Sequence, residues 1–99
     1  HEDLLLACRV RAEAYGSKLP EYREAMAQPD GVDASPSTTV FLCEDKVTRQ
    51  PVGSMRIQAR AHGFGELELE KYVQLPERVT TTSRAEITRL AADVKRILV

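Results

Sequence analysis

The order of segments predicts an α+β (α/β) fold with helices packed on a mostly antiparallel sheet. Three observations carry it: helix formers with an apolar stripe open the chain, β-formers fill its middle, and a short polar turn joins two β-rich runs into a hairpin. At 99 residues the chain reads as one domain over 1–99, large enough to bury a core but not a spacious two-lobed cleft.

The first helix is expected from about Asp3 to Tyr15, with Gly16 as a stop signal. A second, short helix begins after Pro20 and ends before the breaker Gln28-Pro29-Asp30-Gly31. Residues 27–37 hold Pro29, Asp30, Gly31, Asp33, Ser35 and Pro36 and form a loop. Thr38-Thr39-Val40-Phe41-Leu42-Cys43 reads as a buried strand. Residues 45–50 turn the chain, and Pro51 to Ala61 return as the hairpin's second strand. His62-Gly63-Phe64-Gly65 breaks that strand, and His62 reads as a turn residue rather than a catalyst. Residues 66–75 alternate like a strand yet contain helix formers, and 76–83 are a polar connector.

The segment Ser83-Arg84-Ala85-Glu86-Ile87-Thr88-Arg89-Leu90 has two incompatible readings. Ser83 and Glu86 spell an S-x-x-E capping box, and Ile87, Leu90, Ala91, Val94, Ile97 and Leu98 recur at helical spacing, which gives a C-terminal helix. The same residues also spell an E-x-[ST]-R-[FL]-[AV] string, which gives a strand. A strand to about Ala92 followed by a short helix from Asp93 satisfies both.

A formal charge of −1 with 29% charged residues leaves no basic footprint for nucleic acid. The apolar run Leu4 to Cys8 is too short to span a bilayer. Cys8 and Cys43 lack metal-ligand or C-x-x-C spacing and read as two buried free thiols in a reducing cytoplasm. Ile97, Leu98 and Val99 offer an apolar face that suggests a homodimer.

Two arginines do not fit a bland core. Leu4, Ala7, Cys8, Ala14 and Tyr15 share one helical face, and Arg11 falls in its middle. Desolvating an unpaired guanidinium there costs several kcal/mol, so Arg11 either meets a carboxylate, leaves by its stem, or faces an anion in a cleft. On the second strand Val52, Ser54, Arg56, Gln58 and Arg60 share one side. That side is either a solvated face or the floor of a substrate cleft.

Taken in order, these motifs resemble the N-terminal part of the autoinducer-synthase branch of the GNAT acyltransferases, which includes acyl-homoserine-lactone and N-acyl amino acid synthases. Arg11-x-x-x-Tyr15 resembles the branch's first-helix motif, and Asp30-x-x-Asp33 its acidic loop pair. Thr38 to Asp45 with Pro51-Val52-Gly53-Ser54-Met55-Arg56-Ile57 resembles its hairpin, and Glu86-x-x-Arg89-Leu90-Ala91 its E-x-[ST]-R strand. The absence of tryptophan favours the N-acyl amino acid synthase type within it. The resemblance implies an N-acyltransferase that moves a fatty acyl group from an acyl-CoA or acyl carrier protein thioester to a small amine acceptor, with no tightly bound cofactor. It implies that Arg11, Tyr15, Asp30, Asp33, Arg56 and Arg89 bind and orient the acceptor, and that Glu86 is the catalytic base. The branch's pantetheine loop and later strands have no counterpart here, so the resemblance also implies that this stretch alone does not hold acyl-CoA as the family does. The alternative reading is a non-catalytic α/β module that acts through dimerisation.

Overall fold

The computed structural model describes residues 2–60 and 67–93. Helix α1 (Glu2–Lys18) is followed by a 3₁₀ turn (Pro20–Tyr22) leading into α2 (Arg23–Met26). Strands β1 (Thr38–Glu44) and β2 (Pro51–Arg60) come next, then a 3₁₀ turn (Glu68–Lys71), α3 (Glu77–Thr80) and β3 (Arg84–Ala92). The strands form one antiparallel sheet in the order β1-β2-β3. This is the α+β architecture the segment order predicts.

Helix α1 does not stop at Gly16. It runs on to Lys18, acidic at its start (Glu2, Asp3) and basic at its end (Lys18), as the helix dipole favours. Gly16 is there for space: a Cβ at that position would lie 2.8 Å from Cβ and 2.9 Å from Nε of Arg23. The residue that looked like a stop signal admits α2 against α1.

Register divides the sheet into two faces, because residues paired across antiparallel strands project to the same side. One face carries the rows Thr38–Gln58–Glu86, Val40–Arg56–Thr88 and Leu42–Ser54–Ala91. Val52, Ser54, Arg56 and Gln58 are all buried here, Arg56 completely. The solvated-face reading of β2 is therefore overturned. The polar side of this strand is the inner one, because β2 is the central strand and α1 packs against the sheet.

The outer face carries the row Thr39–Ile57–Ile87 and the pairs Phe41–Met55 and Ala59–Ala85. Phe41 is 44% and Ile87 61% exposed. Strand β1 is thus half-exposed rather than buried, and Cys43 is an exposed thiol while only Cys8 is buried.

The contested segment is strand from Arg84 onward, not a helix opened by Ser83. A bulge explains why it resembled one. Ser54 pairs with Ala91 and Arg56 with Thr88, so Arg89 and Leu90 together oppose the single residue Met55. The extra residue breaks the two-residue period and gives Ile87, Leu90 and Ala91 a helix-like spacing. The helix expected beyond Asp93, the apolar face on Ile97, Leu98 and Val99, and the turn role of His62 lie outside the described residues.

Candidate functional site

The site begins with the loop between α2 and β1. Asp30 and Asp33 cap each other's backbone: the Asp33 N–H donates to Asp30 Oδ1 and the Asp30 N–H to Asp33 Oδ2, both at 3.0 Å. Such reciprocal Asx bonding is what Asp offers a turn. It fixes both carboxylates toward the inner face of the sheet.

Two buried arginines meet this pair. From α1, Arg11 Nη1 donates to Asp33 Oδ2 at 2.9 Å. From β2, Arg56 Nη1 donates to Asp30 Oδ1 at 2.9 Å and Oδ2 at 3.0 Å, and to Asp33 Oδ1 at 3.2 Å. Arg56 Nε donates to the Thr88 hydroxyl on β3 at 2.9 Å. Of the alternatives for Arg11, the observed one is a buried ion pair.

The remaining members come from the β3 edge of the sheet and from the 3₁₀ turn beside it. Arg89 Nη2 lies 3.4 Å from Glu68 Oε1 and 4.0 Å from Asp30 Oδ2. Glu68 Oε2 also lies 3.8 Å from Arg56 Nη2. On a regular strand Arg89 would project opposite to Thr88. Its left-handed backbone, φ 54°, at the bulge turns the side chain toward the cluster, a conformation that costs a non-glycine residue about 1–2 kcal/mol.

Three guanidinium groups therefore face three carboxylates, graded from interior to surface. The Asp33 side chain is fully buried and that of Asp30 is 46% exposed. Burial pushes the Asp33 carboxyl up, but hydrogen bonds from Arg11, the Asp30 N–H and Arg56 outweigh it and hold the group at about 2. Burial likewise pulls Arg56 down, and Asp30 and Asp33 more than restore it, leaving it above the usual arginine value. Burial raises the Cys8 thiol, although Arg11 opposes this, so Cys8 does not suit the role of a thiolate nucleophile. Arg11 Nε and Nη2 and Ser54 Oγ are buried without a protein partner. The layer between α1 and β2 is thus polar rather than pure hydrocarbon.

Five of the seven expected site residues converge here: Arg11, Asp30, Asp33, Arg56 and Arg89. Glu86 lies one row away, opposite Gln58. Its Oε1 accepts the Glu68 N–H at 2.8 Å and its Oε2 the Leu69 N–H at 2.9 Å. Tyr15 is elsewhere, on a groove of about 700 Å³ between α1 and the end of β3, beside Val10, Ala14, Pro51 and Leu90. Sequence reasoning missed Glu68 and Thr88. Thr88 had a signal, since it shares a strand face with Glu86. Glu68 had none, because only the tertiary fold carries its segment to Arg89.

Among the described residues no group of His, Cys, Asp and Glu has the arrangement of a metal site. No described helix is long and apolar enough to cross a membrane. Compared with known proteins, the chain matches no family pattern, no curated protein and no solved structure.

Proposed function

We propose that this chain is an N-acyltransferase of the GNAT autoinducer-synthase type whose arginine–carboxylate cluster binds the acceptor. It joins a fatty acyl group from an acyl-CoA or acyl carrier protein thioester to the amine of an amino acid or related acceptor, in the cytoplasm. The observation that carries the reading is the convergence of Arg11, Arg56 and Arg89, from three separate elements, on the Asp30–Asp33 loop. Arginines held by buried carboxylates orient an acceptor's carboxylate through charge-assisted hydrogen bonds. The neutral amine nitrogen then attacks the thioester carbonyl carbon. A C–N bond forms, the C–S bond breaks, the nitrogen's proton passes to a carboxylate of the cluster, and the departing thiolate is protonated to the thiol. The groove beside Tyr15, about 700 Å³, falls in the size range of small-molecule sites and suits the thioester arm.

The test is incubation of the chain with a long-chain acyl-CoA and a panel of amino acids. Free thiol is read by colour and N-acyl product by mass spectrometry. Product that disappears in Arg89→Gly while the melting temperature holds supports the reading. Absence of both product and acyl-CoA binding overturns it for this chain.

The apolar outer face, where Phe41 and Ile87 are exposed, favours a second reading, a non-catalytic module that forms a homodimer. Phe41, Met55, Ile57, Ala59, Ala85 and Ile87 project there, and none carries charge. Under that reading light scattering gives twice the chain mass and Ile87→Lys returns it to the monomer. A monomer at every concentration removes it.

A further inference from the structure

Two glutamates approach the cluster, and their carboxylates are differently engaged. Both oxygens of Glu86 accept backbone N–H bonds, one from Glu68 and one from Leu69. Glu86 forms no ion pair among the described residues, although it stands on the same strand as Arg89. Its contacts fasten the 3₁₀ turn Glu68–Lys71 to β3. The first two N–H groups of such a turn have no partner within it, and Glu86 supplies both.

Glu68 is the reverse case. Its backbone is held by Glu86, while its carboxylate, 28% exposed, faces the guanidinium groups of Arg89 and Arg56 at 3.4 and 3.8 Å. These contacts are long for charge-assisted hydrogen bonds, which close to about 2.7–2.9 Å. An oxygen held this loosely keeps lone pairs for an ammonium donor. Asp30, at the same mouth, is bound twice by Arg56 at 2.9 and 3.0 Å and by the Asp33 N–H. Glu68 is thus the least committed carboxylate of the cluster, with Arg89 beside it to receive an acceptor's carboxylate.

We infer that Glu68, not Glu86, is the carboxylate that takes the acceptor's ammonium group, and that Glu86 is a positioning residue acting through the backbone of Glu68. The assignment rests on the acceptor-site reading above. It makes the binding unit a Glu68–Arg89 pair matched to the two charges of an α-amino acid.

Glycine, methylammonium and acetate, each titrated separately into the isotope-labelled full chain and followed by the Glu68 and Leu69 amide and Arg89 side-chain resonances, test it. Glycine is expected to shift all three signals. Glu68→Gln should weaken glycine about tenfold or more and abolish the methylammonium response while acetate still reaches Arg89. Loss of fold would remove both responses together, so this split is not a structural side-effect. Glu86→Gln should speed hydrogen exchange at the Glu68 and Leu69 amides and weaken glycine by a smaller factor, with methylammonium still bound. The assignment is overturned if Glu68→Gln binds methylammonium unchanged, if Glu86→Gln alone abolishes that response, or if the unsubstituted chain shows no glycine response. Acyl transfer does not enter these titrations, so failure of the transferase reading and failure of this assignment are separately visible.

Discussion

Asp33 is shared by two buried arginines, with Arg11 Nη1 donating to its Oδ2 at 2.9 Å and Arg56 Nη1 to its Oδ1 at 3.2 Å. One carboxylate from a loop thereby ties the helix layer to the central strand. A buried guanidinium without its counter-charge is strongly unfavourable, so the three residues stand or fall as a unit. Their geometry sets both the stability of the fold and the floor of the site.

Replacing Asp33 by Asn should therefore cost about 3–5 kcal/mol in denaturant unfolding, since it strands the buried Arg11 and takes from Arg56 one of its counter-charges, leaving it Asp30. Acid should act on the same group. The Asp33 carboxyl stands at about 2 in the fold against 3.8 unperturbed, so between those values the unfolded chain binds the extra proton. Its contribution, on the order of 2 kcal/mol, is complete above about pH 4 and is lost as pH falls toward 2. Asp33→Asn should flatten that acid limb. An unchanged acid profile in the variant would show that other carboxylates govern it.

Gly16→Ala should destabilise the protein although alanine is the better helix former by about 0.8–1 kcal/mol. The added Cβ would meet Arg23 Cβ, Nε and Cζ at 2.8, 2.9 and 3.0 Å, and overpacking of this kind costs about 1–3 kcal/mol. Thermal melts of the single variant, and of the same change in an Arg23→Gly background, measure the clash. Equal losses in both backgrounds would place the cost elsewhere.

Arg89→Gly separates strain from function. Glycine adopts the φ of 54° without penalty. The ion pairs that the substitution removes, at 3.4 and 4.0 Å, are partly exposed and worth little. Stability is expected to hold or rise by about 1 kcal/mol, while the acetate response disappears. A large drop in melting temperature would mean that Arg89 serves the fold first.

The helix–helix–hairpin order was legible because local signals set it: Pro20, the Gln28–Gly31 breaker and the β-formers from Thr38. The awkwardness of Arg11 and Arg56 was legible too, since a charge on an apolar stripe demands a partner. Which face of β2 is inner was not legible. Alternation gives two faces but does not say that the one bearing Ser54, Arg56 and Gln58 lies under α1. The bulge at Arg89–Leu90 hid the strand behind a helical spacing, and the same bulge brings Arg89 to a side where plain alternation would not put it. Glu68 was invisible because its place depends on Glu86, eighteen residues later.

The contacts that define the cluster also bear on the order of events in folding. Arg11 and Asp33 are 22 residues apart, Arg56 and Asp30 26, Arg56 and Thr88 32, and Arg89 and Glu68 21. None of these pairs forms within a single helix, hairpin or turn, and each must await closure of a long stretch of chain. A nascent chain that has made α1 and the β1–β2 hairpin holds Arg11 and Arg56 but not yet Thr88 or Arg89. Arg11 and Arg56 can meet Asp33 and Asp30 without β3, but Arg89 reaches Glu68 and Asp30 only when β3 docks, so binding competence arrives with that strand and vanishes first when it lifts away.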